Sequence, residues 1–263
     1  MNHSHHLTIS EHTGHSSSLL IWFNTFEIGL IVLFIALFIF KKDLWQQHKL
    51  ALSGISALFF VSMLPFVDTL ARHSVWLHCL QSSLVHHLIP FLLIAVLHPF
   101  TKSRFGTPAP QRTQVMFFIS LVSFHLMSVM WLLPSLHLAL MENGVLYSAM
   151  KWAMAITGLM LCQTMLDFQR YTSIAKINYQ QFSVLMLIPQ LIIGLTLMIA
   201  PPLYVMPESM MQHTASLLPH LSQQADQVLG GVILILASLL FMGLDLYRRQ
   251  SSLNLYHKRG ITV

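Results

Sequence analysis

Residues Trp76–Pro99 read WLHCLQSSLVHHLIPFLLIAVLHP. The stretch is long and apolar enough to cross a bilayer, for which ~20 residues suffice. It nonetheless carries four histidines, a cysteine and a glutamine. Polar groups inside hydrocarbon are costly, and a span that keeps them marks a functional site by default. The remaining sequence can be sorted by which other residues reach the same depth.

The 263 residues are 55% hydrophobic and only 9% charged, against about a quarter charged in a soluble domain. The expected fold is all-α: a polytopic membrane protein built as a seven-helix bundle. Seven apolar runs support it, at roughly 19–40, 50–70, 75–98, 114–134, 145–167, 183–205 and 227–247. They imply a His-rich disordered tail over 1–18, a membrane domain over 19–247 and a basic tail over 248–263. Pro65, Pro90 and Pro189 fall inside runs, where neighbouring helices satisfy the freed carbonyls.

A formal charge of +5 would suit a nucleic-acid partner were the basic residues clustered. Instead they alternate by loop: Lys41, Lys42 and Lys49, then Lys102, Arg104 and Arg112, then Arg170 and Lys176, then Arg248, Arg249, Lys258 and Arg259. The intervening loops hold Arg72, with Lys151 just inside the fifth run. The positive-inside rule places the N-terminus outside and the C-terminus inside, with the bilayer and no nucleic acid as partner. Cys79 and Cys162 fall in different runs, so no disulfide framework is expected.

Sorting histidines by side gives an asymmetry. His3, His5, His6, His12, His15, His73, His78, His137, His213 and His220 fall on or near the outer face, and His86, His87 and His125 within the membrane. The outer loop YVMPESMMQHTASLLPHLSQQADQ adds Met206, Met210, Met211, Glu208 and Asp226. Thioether and imidazole donors without a cysteine cluster are what an outward-facing copper site uses.

His78, Gln81 and Ser82 share a helical face at i, i+3 and i+4, continued by Val85 and His86. His86 and His87 lie ~17 Å in, near the midplane. His125 reaches similar depth on the next run and is placed to face that pair. Two imidazoles across such a contact suit copper or the axial ligation of a haem b; each is also open to a structural role. Asp68 ends the second run and Asp226 opens the seventh, as helix cap or as orienting partner of a metal-bound histidine. Glu27, ~12 Å deep, is read as the ion-pair partner of Lys151. No phosphate-cradling loop, His-Glu-x-x-His, nucleophile elbow or Cys-x-x-Cys is present, so an enzyme is not expected.

Several segments together resemble the multi-spanning cytochrome c oxidase assembly factors called CtaG. They are LPFVDTLA with Pro65 and Asp68, the His78–Cys79–Gln81 cluster running to Pro90, WLLPSLHLAL with His137, PPLY at Pro201–Tyr204, and ADQVLGG with Asp226, Gln227 and Gly231. The similarity spans roughly residues 50–245. Departures are Ser82 in place of a second motif histidine, and Tyr147 and Lys151 where the fifth run is expected to carry a histidine pair. The resemblance implies an assembly factor for haem–copper oxidase, working with oxidase subunits or other copper chaperones, and carries ligand roles to His78, His137, Asp68 and Asp226. His86, His87 and His125 would extend a copper path inward; a copper permease or a b-type haem electron carrier would use the same residues differently.

Overall fold

The computed structural model describes the backbone of residues 9–40, 42–101, 110–131, 133–171, 175–204 and 221–258. All regular elements among them are helical. Helix α1 (Ile9–Ile39) begins inside the stretch assigned to the tail, and α2 (Lys42–Met63) follows it after a sharp bend. Their apolar portions, Ile21–Leu37 and Lys42–Met63, cross at 115°.

Helix α2 stops where the sequence forbids continuation. Pro65 biases its predecessor away from the α region, and Leu64 is extended at φ −62° and ψ 134°. Proline then opens the short α3 (Pro65–Ala71), a position where its missing N–H costs nothing. The same device recurs at Leu133–Pro134, which separates α6 (Pro110–Met130) from the short α7 (Pro134–Glu142). Arg72, following α3, donates from Nε to the Met141 carbonyl at 2.6 Å and ties the two short helices together.

The decisive stretch forms α4 (Val75–Ser83), a widened π turn over Leu84–Leu88, and α5 (Ile89–Thr101). Pro90 explains the widening. It lacks an N–H, and its ring would collide with the carbonyl four residues back, which belongs to His86. The chain opens by one residue, and Ile89 N–H bonds the Leu84 carbonyl instead. Helix α8 (Gly144–Tyr171) packs into the opening through Gly158, where a Cβ would collide with the His86 carbonyl oxygen.

Helices α9 (Ala175–Ile199) and α10 (Gln223–Lys258) complete the bundle. The ADQVLGG segment holds them in place residue by residue. A Cβ on Gly230 would meet Cys79 Sγ at 3.0 Å on α4, and one on Gly231 would meet the Gly194 carbonyl at 2.5 Å on α9. Two adjacent glycines thus let α10 approach two helices at once, the small-residue packing that membrane bundles favour. Gln227 Nε2 donates to the carbonyls of Leu197, Ala200 and Pro201, and its Oε1 accepts from Leu203 N–H at 2.8 Å. It therefore ends α9 and shapes the PPLY turn.

Four stretches are long and apolar enough to cross a membrane: Val75–Leu97, Gln111–Met130, Gly144–Met165 and Gln223–Leu244. The bent α1–α2 pair makes up to five, and Leu187–Ile199 is a shorter apolar helix. Seven full spans, and the sidedness derived from them, therefore go beyond what the described residues support. The reason is local: the first two runs merge into one bent pair, and α2 opens on the polar Lys42–Lys49 segment rather than an apolar one. Large apolar side chains such as Val122, Ile192 and Leu236 remain more than half exposed, as a lipid-facing surface requires.

Candidate functional site

The break after α2 leaves its last carbonyls without helical donors, and such groups need partners when buried. Lys151 Nζ reaches the Met63 carbonyl at 2.8 Å, and Gln81 Nε2 the Ser62 carbonyl at 2.7 Å. Lys151 also pairs with Asp68 at 2.5 Å and Glu27 at 3.0 Å. Glu27 accepts from Trp152 Nε1 at 3.0 Å and from the Ser148 hydroxyl. The expected Glu27–Lys151 pair is present, and Asp68 joins it from outside the candidate spans. Burial pushes the Asp68 carboxyl up to about 6, against the opposing pull of Lys151 and Gln81.

From Asp68 the network runs to a histidine. Gln81 Nε2 donates to Asp68 Oδ1 at 2.6 Å, Tyr147 donates its hydroxyl proton to Gln81 Oε1 at 2.6 Å, and His78 Nδ1 lies 2.9 Å from that hydroxyl. His78 Nε2 is buried with no hydrogen-bond partner. His78 packs against Trp131 at a ring separation of 4.8 Å and against His137 at 6.2 Å. His137, on α7, stacks on Tyr204 at 3.8 Å. Neither of its ring nitrogens has a hydrogen-bond partner of normal geometry, although the residue is only 2% exposed.

The mid-span pair is built differently. His86 places Nε2 3.2 Å from the Thr157 hydroxyl and Nδ1 3.4 Å from that of Ser128. His87 contacts the Gln190 amide, whose Oε1 accepts from the Ser238 hydroxyl on the last helix at 2.7 Å. Phe124 stacks on His86 at 3.9 Å and meets His87 edge-on at 4.8 Å. Phe124 and Ser128 of α6 thus pack against the pair, while His125 meets Phe124 at a ring separation of 5.6 Å and lies near enough to act electrostatically on both His86 and His87.

Asp226 lies in the first turn of α10, but its carboxylate is spent on a neighbouring helix. Its carboxylate accepts from Ser74 Oγ at 2.8 Å, Val75 N–H at 2.8 Å and Trp76 N–H at 3.1 Å. It caps α4, a neighbouring helix, while Ser222 accepts from Ala225 N–H to cap α10 itself. Cys79 and Cys162 are both free and buried. Among the described residues no three His, Cys, Asp or Glu side chains converge on one point. The tail histidines His3, His5 and His6, and the loop donors Met206, Glu208, Met210, Met211, His213 and His220, lie outside the described residues.

Sequence reasoning passes over Tyr147, Trp131 and Tyr204 as site residues. The signal for the first is present: Tyr147 and Ser148 lie four and three residues before Lys151 on α8, so each neighbours it on the helix surface, and all three are engaged in the network.

These features define a helical membrane protein with a buried polar network ending in two closely packed imidazoles. A model of the cytochrome c oxidase caa3 assembly factor family (Caa3_CtaG) matches residues 41–246, and the chain belongs to that family. No curated protein and no solved structure matches the chain.

Proposed function

We propose that the protein serves oxidase assembly without catalysing a reaction, by holding copper at the His78–His137 end of the bundle and passing it to an oxidase subunit or another copper chaperone. One observation carries this: His78 Nε2 has no hydrogen-bond partner and neither ring nitrogen of His137 has one of normal geometry, although both rings are buried side by side at the end of a bonded network. A buried polar atom left unsatisfied costs free energy, so a site that keeps several has a use for them. Ring centres 6.2 Å apart suit two imidazoles sharing one ion through bonds of ~2 Å. Neutral imidazole is a ligand for copper, and two-coordinate binding does not require a third protein donor. The His78 end would then face outward, in a bacterial inner membrane, where the tail histidines and the Met206–Met211 segment would collect the ion. Asp68 supports the site through Gln81 and Lys151, and Asp226 through the start of α4.

The haem and permease alternatives both need the mid-span residues His86, His87 and His125. The first two already bond Thr157, Ser128 and Gln190 and lie against Phe124, so a metal there would have to displace those partners. Copper and haem content of purified protein separate the readings. Stoichiometric copper, lost in His78→Ala and His137→Ala but kept in His86→Ala, supports the proposal. A Soret band lost with His86 or His87 replaces it with a haem protein, and no bound metal in any form leaves a docking scaffold.

A further inference from the structure

We infer that Gln81 and Tyr147 are positioning residues that fix the tautomer of His78 and thereby present its Nε2 lone pair to the ion. This deepens the copper proposal and rests on it only for the identity of the ligand.

The inference follows from donor and acceptor bookkeeping along one chain of contacts. The Ser62 carbonyl and the Asp68 carboxylate can only accept. Both lie against the same end of the Gln81 amide, at 2.7 and 2.6 Å. That end must therefore be the NH2 group, which fixes an orientation that atomic positions alone leave open. The other end, Oε1, can only accept, so the Tyr147 hydroxyl 2.6 Å away spends its one proton there. The Tyr147 oxygen then has only lone pairs to offer His78, whose Nδ1 lies at 2.9 Å. Nδ1 must carry the hydrogen. A neutral imidazole has one N–H, so Nε2 is a bare lone pair.

That is the atom found buried without a partner. A metal-binding histidine almost always has its other nitrogen held by a hydrogen bond, which sets the tautomer and the ring angle. Here the holding group is not a carboxylate but a tyrosine, polarised through an amide by Asp68, which Lys151 in turn anchors at 2.5 Å. Each link has one direction, so the relay reads from the charged cluster to the free lone pair.

The test uses full-length protein labelled with 15N-histidine, with the His78 resonances identified by their loss in His78→Asn. In wild type the neutral His78 ring is expected to carry its proton on Nδ1. Tyr147→Phe keeps the aromatic packing and removes the acceptor; His78 should then shift toward the Nε2–H form. Cuprous ion affinity, measured by competition with a chromophoric chelator, should weaken roughly 10–100-fold. Gln81→Leu should do the same, with helix content by circular dichroism unchanged in either variant. A wild-type His78 protonated on Nε2 overturns the inference, as does a Tyr147→Phe protein with unaltered tautomer and affinity. If the tautomer responds as expected but wild type binds no copper, the relay stands and the copper proposal fails. If copper binds and the tautomer is wrong, the reverse holds.

Discussion

The two histidine pairs of this bundle are equally buried and differently treated. His86 and His87 sit at a widened turn with Thr157, Ser128 and Gln190 within reach of their nitrogens. His78 and His137 sit among Trp131, Tyr147 and Tyr204, where His78 Nδ1 is held and the other three nitrogens have no hydrogen bond of normal geometry. Burial therefore does not identify a ligand-binding histidine. What separates the pairs is whether the neighbours have been chosen to satisfy the ring.

The largest effect expected bears on what holds the His78 end together. Lys151→Met removes the cation shared by Glu27, Asp68 and the end of α2. Stranding two buried carboxylates costs ~3–5 kcal/mol, so this variant should fail to give a cooperative thermal transition in detergent. A melt like that of wild type would mean the cluster is wet and the comparison between dry ends is unsound. Next comes the mid-span side. Gly158→Ala puts a methyl against the His86 carbonyl and should cost ~1–3 kcal/mol, lowering the melting temperature while leaving copper content untouched. A neutral result would mean that the turn gives way easily.

Asp226→Ala unties the start of α4 from the last helix and should cost ~0.5–2 kcal/mol, the usual value of a helix cap. Hydrogen exchange at Val75 and Trp76 would rise locally. His137→Leu sharpens the contrast most directly. It deletes two buried nitrogens that have no hydrogen bond of normal geometry, so stability should hold within about 1 kcal/mol of wild type or improve, while copper is lost. His86→Leu should behave oppositely, losing stability and keeping copper.

A further test of the same end uses pH. The Asp68 carboxyl is raised from 3.8 to about 6 in the fold, so the folded protein keeps a proton the unfolded chain has released. Its contribution to stability is then greatest below pH 4, falls as pH rises from 4 to 6, and is flat above. The difference in melting temperature between wild type and Asp68→Asn should open across that window. A constant difference would place the Asp68 carboxyl at its ordinary value.

Helices, their apolar faces and the Glu27–Lys151 pair are legible in the sequence because period, depth and charge are local quantities. The span count is not, because the first two runs form one bent pair and the sixth leaves only the shorter apolar helix Leu187–Ile199 among the described residues. His78, His137 and Asp68 stand out as site candidates from the sequence; the structure links His78 to Asp68 through Tyr147 and Gln81 and sets the His137 ring 6.2 Å from that of His78. Tyr147 shows there only as a departure from an expected histidine, since its role depends on an amide contributed by α4. Asp226 reads as a cap of its own helix because capping is normally local, whereas its real partners are about 150 residues away.

That last contact sets an order of events during synthesis. The amides of Val75 and Trp76 leave the ribosome long before Asp226 does, and until then no carboxylate is there to receive them. A chain interrupted ahead of the final helix would hold α4 with a frayed start, and His78 lies within its first turn. The ADQ segment is thus the last part of this end to arrive, and the helix that carries His78 gains its cap only then.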